Sequence, residues 1–179
     1  MMLLFRLLFV VFRLAYSSDG RRWPSGRCSL NIGPTLIPAT WVSVAHAALG
    51  EWNNAGANFQ FVTDPSSSNT ITRFDQGRWN GRLAVTAIYP AQPGQVLTNV
   101  YTQINTYWQW DPPHPPPLGG RDPSGAVYSL ENVMKHELGH ALFLGHSQDP
   151  AAVMYPTTSS SNPSPLAPDD IAGIMAVYP

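Results

Sequence analysis

The 179-residue chain has one cysteine, Cys28, and one lysine, Lys135. A single thiol excludes an intrachain disulfide framework and a cysteine-built zinc cluster, so any metal site must be drawn from histidines and carboxylates. Charged residues make up only 12% of the chain and the formal net charge is −1. That leaves no general field to attract nucleic acid or an anionic membrane, and no local basic patch takes its place. Long apolar runs are also lacking: the longest unbroken one in the N-terminal segment, Leu7 to Phe12, falls far short of the ~20 residues that cross a bilayer. What the chain does have is 44% hydrophobic residues, 11% aromatics and six tryptophans. With this length, that composition suits one packed domain with a substantial core.

Residues 1–22 read as a leader or an imperfect export signal. Arg6 and Arg13 interrupt the apolar run rather than preceding it, and Ala15 to Ser18 is a passable cleavage site. An amphipathic leader and translated upstream sequence are the alternatives. A signal would place the remainder, residues 23–179, outside the cell as a secreted protein.

Apolar residues Trp41, Val44, Ala45, Ala48, Leu49 and Trp52 recur at helical spacing between Pro38 and Asn54, with Gly56 placed to end that helix. Strand-like stretches follow at Asn58–Thr63, Thr70–Phe74, Leu83–Tyr89 and Thr98–Asn105, and Cys28–Ile32 is a further candidate ahead of the helix. Trp108 to Gly125, rich in proline, reads as a long surface loop. Ser129–Leu144 and Pro168–Val177 are the second and third helices. Strand, helix, strands, helix, helix is the order of an α+β domain.

The chemistry lies in the segment from His136 to His146, HELGHALFLGH. On a helix, residues four apart share a face, so His136 and His140 offer two imidazoles to one ion while Glu137 sits beside the ion's open side. A straight helix would carry His146 about 240° around the axis from His140, so the chain must turn before His146 can join them. Three neutral imidazoles and a water form the four-coordinate arrangement of catalytic zinc. With five histidines and three glutamates in the chain, chance placement gives roughly 0.002 matches to the His-Glu-x-x-His pattern. His46 and His114 have no spacing partner and read as surface residues. Lys135 is expected to face solvent on the outer side of the helix.

HELGHALFLGHS, followed eight residues after His146 by Met154 in AVMYP, resembles the zinc helix and Met-turn of the metzincin metallopeptidases. Ser147 directly after the third histidine resembles the matrixin branch. WVSVAHAALGEWNNAGANFQF, TITRF, LAVTAIYP and LAPDDIAGIMAVYP are arranged as in a matrixin catalytic domain, so the resemblance covers roughly residues 27–179. It implies a metzincin-like zincin fold: a mixed twisted sheet, an active-site helix, the Met-turn and a C-terminal helix. Residues 23–146 would form the upper part and 147–179 the lower. It further implies a zinc-dependent endopeptidase in which His136, His140 and His146 hold Zn2+ and Glu137, as general base, moves a proton from the metal-bound water to the leaving amine. Met154 would be an apolar floor and not a ligand. Peptide substrate would lie extended along Leu83, Ala84, Val85 and Thr86, and the stretch from Tyr155 and Pro156 to Thr158 would wall the pocket after the scissile bond. Asp169 and Asp170 would open the last helix and tie down both the Met-turn and the mature N-terminus.

The chain departs from the family at five places. Phe143 stands where metzincins carry the glycine that lets the chain leave the helix, so either Gly145 takes the positive φ or Phe143 is strained. No histidine lies between His46 and His114 to build a second, structural zinc. Asp64, Asp75, Asp111 and Asp122 form no ligand-rich loop, so calcium has no clear ligand set. Pro156-Thr157-Thr158 replaces Pro-x-Tyr. Cys28, in GRCSLNIG, lacks the pattern of a propeptide cysteine switch and reads as part of the first strand. The competing interpretation is a weak or inactive metzincin-like module that binds peptide or serves a structural role. Glu137 argues against it, because a pure binding module has no need of a base. The expected partner is a peptide or protein substrate, with no nucleic acid, no stable membrane association and a monomeric state.

Overall fold

A computed structural model of the chain describes residues 21–33, 37–78, 81–89, 99–112, 124–158 and 162–179. The leader reading of residues 1–22 therefore lies almost wholly outside the described residues, as does His114. Among the described residues, no helix is long and apolar enough to cross a membrane.

Among the described residues ten elements follow in the order β1 (Arg27–Leu30), α1 (Ala39–Asn53), β2 (Gln60–Thr63), β3 (Thr70–Phe74), β4 (Ala84–Tyr89), β5 (Asn99–Asn105), β6 (Gln109–Asp111), β7 (Val127–Ser129), α2 (Leu130–Ala141) and α3 (Pro168–Val177). This is an α+β architecture. β1 pairs with β2 in parallel; β5 lies between β3, to which it is parallel, and β4, to which it is antiparallel. A single bridge from Asn31 to Thr70 sets the end of β1 beside β3. The strands are thus arranged β2-β1-β3-β5-β4, with β4 at the edge.

Alternation explains β5: Val100, Thr102 and Ile104 are buried while Tyr101 and Gln103 face out. α1 buries Trp41, Ala45, Ala48, Leu49 and Trp52, the helical stripe expected from their spacing. This stripe packs against α2, and the Trp52 indole donates to the Lys135 carbonyl at 3.0 Å. Ser129 caps α2, its hydroxyl accepting from the Asn132 amide. Cys28 lies in β1, 1% exposed. Burial pushes its thiol up to about 12, which keeps it out of the thiolate form that binds metal.

Two expectations fail. Gln109–Asp111, assigned to the loop, forms β6 and pairs with β7. The prolines begin only at Pro112, and the tryptophans at 108 and 110 are both buried, so their burial fixes the preceding stretch as regular structure. Lys135 does not face solvent but is fully buried. Its ammonium donates to Glu51 at 2.8 Å and Glu131 at 3.0 Å, and also to the Ser164 carbonyl. The outer face of α2 is covered by α1 and the 162–166 segment, and two carboxylates compensate the buried charge.

Candidate active site

The helical register brings His136 and His140 together, and the turn after Ala141 brings in His146. Their ring centroids lie 4.7 to 5.2 Å apart, and each offers a donor atom within 4.8 Å of the others. This is the only such group of three or more among the described residues. His136 Nδ1 faces the Val153 carbonyl at 2.8 Å and His140 Nδ1 faces that of Leu144 at 2.9 Å. A neutral imidazole donating from Nδ1 keeps its lone pair on Nε2, so the two carbonyls select the tautomer that can ligate a metal. Burial first, then proximity to His140, holds His136 down to about 4, and burial likewise lowers His140. Both rings are therefore neutral near pH 7.

The turn is made at Phe143, whose φ is 68°, and it is the only non-glycine residue with positive φ among the described residues. Gly145 does not take up the positive φ. A residue held there costs about 1 to 3 kcal/mol, offset here by burial: Phe143 is 4% exposed. The helix closes through Leu144 N–H to the Gly139 carbonyl at 3.0 Å.

Glu137 is buried on the same helix. The Thr86 hydroxyl of β4 lies 2.7 Å from Glu137 Oε2, 3.0 Å from the Glu137 carbonyl and 2.9 Å from the Thr102 hydroxyl. Having one proton, Thr86 can donate to only one acceptor at a time. A relay from Thr102 to Thr86 to the carboxylate uses each hydroxyl proton once and gives none to the Glu137 carbonyl. Burial raises Glu137 to about 7, with Thr86 pulling the other way. The sequence pointed to Thr86 for its main chain, and nothing in it signalled a hydroxyl aimed at Glu137.

Met154 is fully buried against α2. A Cβ at Gly139 would stand 2.2 Å from the Met154 sulfur, so the sulfur occupies the space that glycine leaves open. Asp170 holds the Met-turn, its carboxylate accepting from the amides of Val153 (2.8 Å), Met154 (3.0 Å) and Ala167 (2.8 Å). It therefore caps α3 and ties the turn at once. Asp169 accepts from the Ser147 hydroxyl at 2.6 Å, and the Ser147 amide donates to the Met154 carbonyl at 2.9 Å. Burial raises the Asp170 pKa against these bonds.

A cleft of about 1000 Å³ opens over the three histidines and Glu137. Leu83, Ala84, Val85 and Thr86 line one side and Tyr155 and Pro156 another, so all six residues expected to meet substrate border the same space. β4 pairs only with β5 among the described residues and leaves its other edge toward this cleft. His46 is exposed on α1, outside the cleft lining.

Residues 30–179 match the model of the matrixin family. The chain is 29% identical over 175 residues to Metalloendoproteinase 1 of Glycine max, covering 91% of this chain and 54% of that protein. It is 56% identical over 45 residues to Matrilysin of Homo sapiens, covering 24% of this chain and 17% of that protein. Interstitial collagenase of Oryctolagus cuniculus is 53% identical over 51 residues, 28% of this chain and 11% of the relative. The chain thus spans about half the length of the first relative and a smaller share of the other two. Taken with the α+β fold and the histidine cluster under its cleft, the match over residues 30–179 places the chain in the matrixin family.

Proposed function

We propose that the chain is a zinc-dependent endopeptidase whose catalytic domain is residues 23–179, divided at His146 into an upper and a lower part. The observation that carries this is the meeting of three imidazole donors within 4.8 Å of one another beside buried Glu137, at the floor of the cleft. The donor set fits zinc: burial keeps His136 and His140 neutral near pH 7, backbone carbonyls fix the tautomer of both, and three imidazole nitrogens with one position left open are an ordinary donor set for catalytic zinc. Bound there, zinc would supply Lewis acidity toward a peptide carbonyl and toward water.

The remaining work belongs to the chain. The edge of β4 aligns an extended peptide by main-chain hydrogen bonds from Leu83 to Thr86, and Tyr155 and Pro156 wall the pocket for the side chain after the scissile bond. Glu137 takes a proton from the attacking water and returns it to the leaving amine, the two transfers a positioned carboxylate can perform in turn. Thr86, donating to Oε2, keeps that carboxylate in one orientation. Met154 gives the imidazoles an apolar floor. The enzyme is secreted and acts as a monomer; the apolar stretch within residues 1–22 supports export, which sequencing the N-terminus of the exported chain tests, and size-exclusion chromatography tests the monomer.

The test is hydrolysis of an unfolded protein by the purified chain, with and without a zinc chelator, beside Glu137→Ala. Cleavage that disappears in both controls supports the endopeptidase. A folded, zinc-loaded chain that cleaves nothing overturns it and favours a peptide-binding module.

A further inference from the structure

Phe143 occupies a backbone conformation that bulky side chains rarely adopt, and the position decides whether His146 reaches its two partners. The tertiary contacts that hold it there come from residues 21–23, about 120 positions earlier in the chain. The Trp23 ring lies 6.1 Å from the Phe143 ring, centroid to centroid, and both are buried. The Trp23 indole N–H donates at 2.8 Å to the carbonyl of Ala141, the last residue of α2, where helix carbonyls have lost their own donors. Trp23 is itself anchored, its amide donating to the Tyr178 hydroxyl at 3.1 Å. The Arg21 guanidinium sits over the Phe143 ring at 5.3 Å.

We propose that Trp23 is a positioning residue for the third imidazole, clamping the Ala141 carbonyl and the Phe143 ring so that the chain leaves α2 in the left-handed conformation that delivers His146. The inference rests on the three histidines being the zinc ligands. The geometry ties the clamp to both sides of the turn. Indole bonding fixes the residue two before Phe143, and ring packing fixes Phe143 itself. The residue after it, Leu144, is held by the Gly139 carbonyl and presents its own carbonyl to His140. A merely structural tryptophan would support the fold equally whatever residue stands at 143. A clamp matters only while that residue must be forced into positive φ, because glycine adopts this conformation without strain.

The experiment measures zinc affinity of the full chain by competition with a chromogenic chelator. It compares the unsubstituted chain, Trp23→Leu, Phe143→Gly and the double variant, with thermal unfolding of each metal-free form in parallel. Trp23→Leu should weaken zinc about tenfold when Phe143 is present, the size of one aromatic contact plus one hydrogen bond. In the Phe143→Gly background the same change should cost less than about twofold, the non-additivity expected of coupled residues. Equal losses in both backgrounds, or no loss in either, would overturn the clamp. If Trp23→Leu does not fold, Trp23→Phe carries the same comparison, with the same sign and a smaller effect. His146→Ala separates the two claims: if it binds zinc as tightly as the unsubstituted chain, the ligand assignment fails, and the clamp with it. If it loses zinc while the Trp23 variants behave additively, only the clamp fails.

Discussion

Glu137 and Lys135 are buried ionisable residues two apart on one helix, and their surroundings treat them oppositely. Glu137 has the Thr86 hydroxyl on its carboxylate, a neutral donor that only partly offsets burial, so desolvation raises it to about 7. Lys135 has two carboxylates and a carbonyl around its ammonium. Lys135→Ala should therefore destabilise the chain by about 3 kcal/mol, the lower end for breaking a buried pair because both carboxylates are partly exposed; chemical denaturation measures it. Glu137→Gln should lower kcat about 10² to 10⁴-fold with zinc content unchanged, since it removes the proton carrier and none of the imidazoles. The same variant has a signature in the metal-free chain. Between its ordinary value of 4.5 and about 7, the unfolded state gives up the Glu137 proton while the folded state keeps it. Stability therefore falls as pH rises through that window and the cost is complete above it. Metal-free Glu137→Gln should melt higher than the unsubstituted metal-free chain at pH 8, and the gap should close below pH 4.5.

At the scale of elements, α2 carries two functions that compete for space. Its inner face presents the imidazoles, and one turn of that face must also admit the Met-turn. Gly139 resolves the conflict by having no side chain where the Met154 sulfur lies. Gly139→Ala should cost about 1 to 3 kcal/mol through overpacking, because Met154 is fully buried and Trp52 also stands within 3.1 Å of the added carbon. It should also weaken zinc binding by shifting the floor under the rings, measured by chelator competition. The Met-turn is held from α3 by the three bonds to Asp170, so Asp170→Ala should loosen it while leaving the α1 and α2 packing intact. Expected is a lower melting temperature and weaker zinc binding, with unchanged far-ultraviolet circular dichroism near 25 °C.

For the whole molecule, the zinc-bound and metal-free states should differ in stability by mass action alone. Free zinc at 100 times its dissociation constant adds about 2.7 kcal/mol. Stripping the metal should therefore lower the melting temperature in a manner that depends on zinc concentration, and His146→Ala should abolish that dependence. The molecule brings distant parts of the chain to one cleft: the strand at 84–89, the helix at 130–141 and the turn after it, the Met-turn, and the Arg21–Trp23 end packed behind Phe143.

Much of this was readable from residue order. Helical spacing of apolar residues marked α1, the stretch at 98–105 read as a strand, and the spacing of His136, Glu137 and His140 marked a candidate metal site, because a helix converts sequence separation directly into facing direction. The bend needed to recruit His146 was also legible, since six residues of helix point the wrong way. Which residue makes that bend was not: Phe143 or Gly145 could have, and the choice fell to Phe143 because its ring packs with Trp23, 120 positions away. The burial of Lys135 and the Thr86 hydroxyl on Glu137 were likewise invisible. A lone lysine on a helix is most often exposed, and a threonine in a strand has no spacing rule that names its partner. β6 was missed because proline in the following residues masked two buried tryptophans. Local periodicity is written in the chain itself, whereas a side chain's burial and its partners are set by surfaces that meet only when the chain folds.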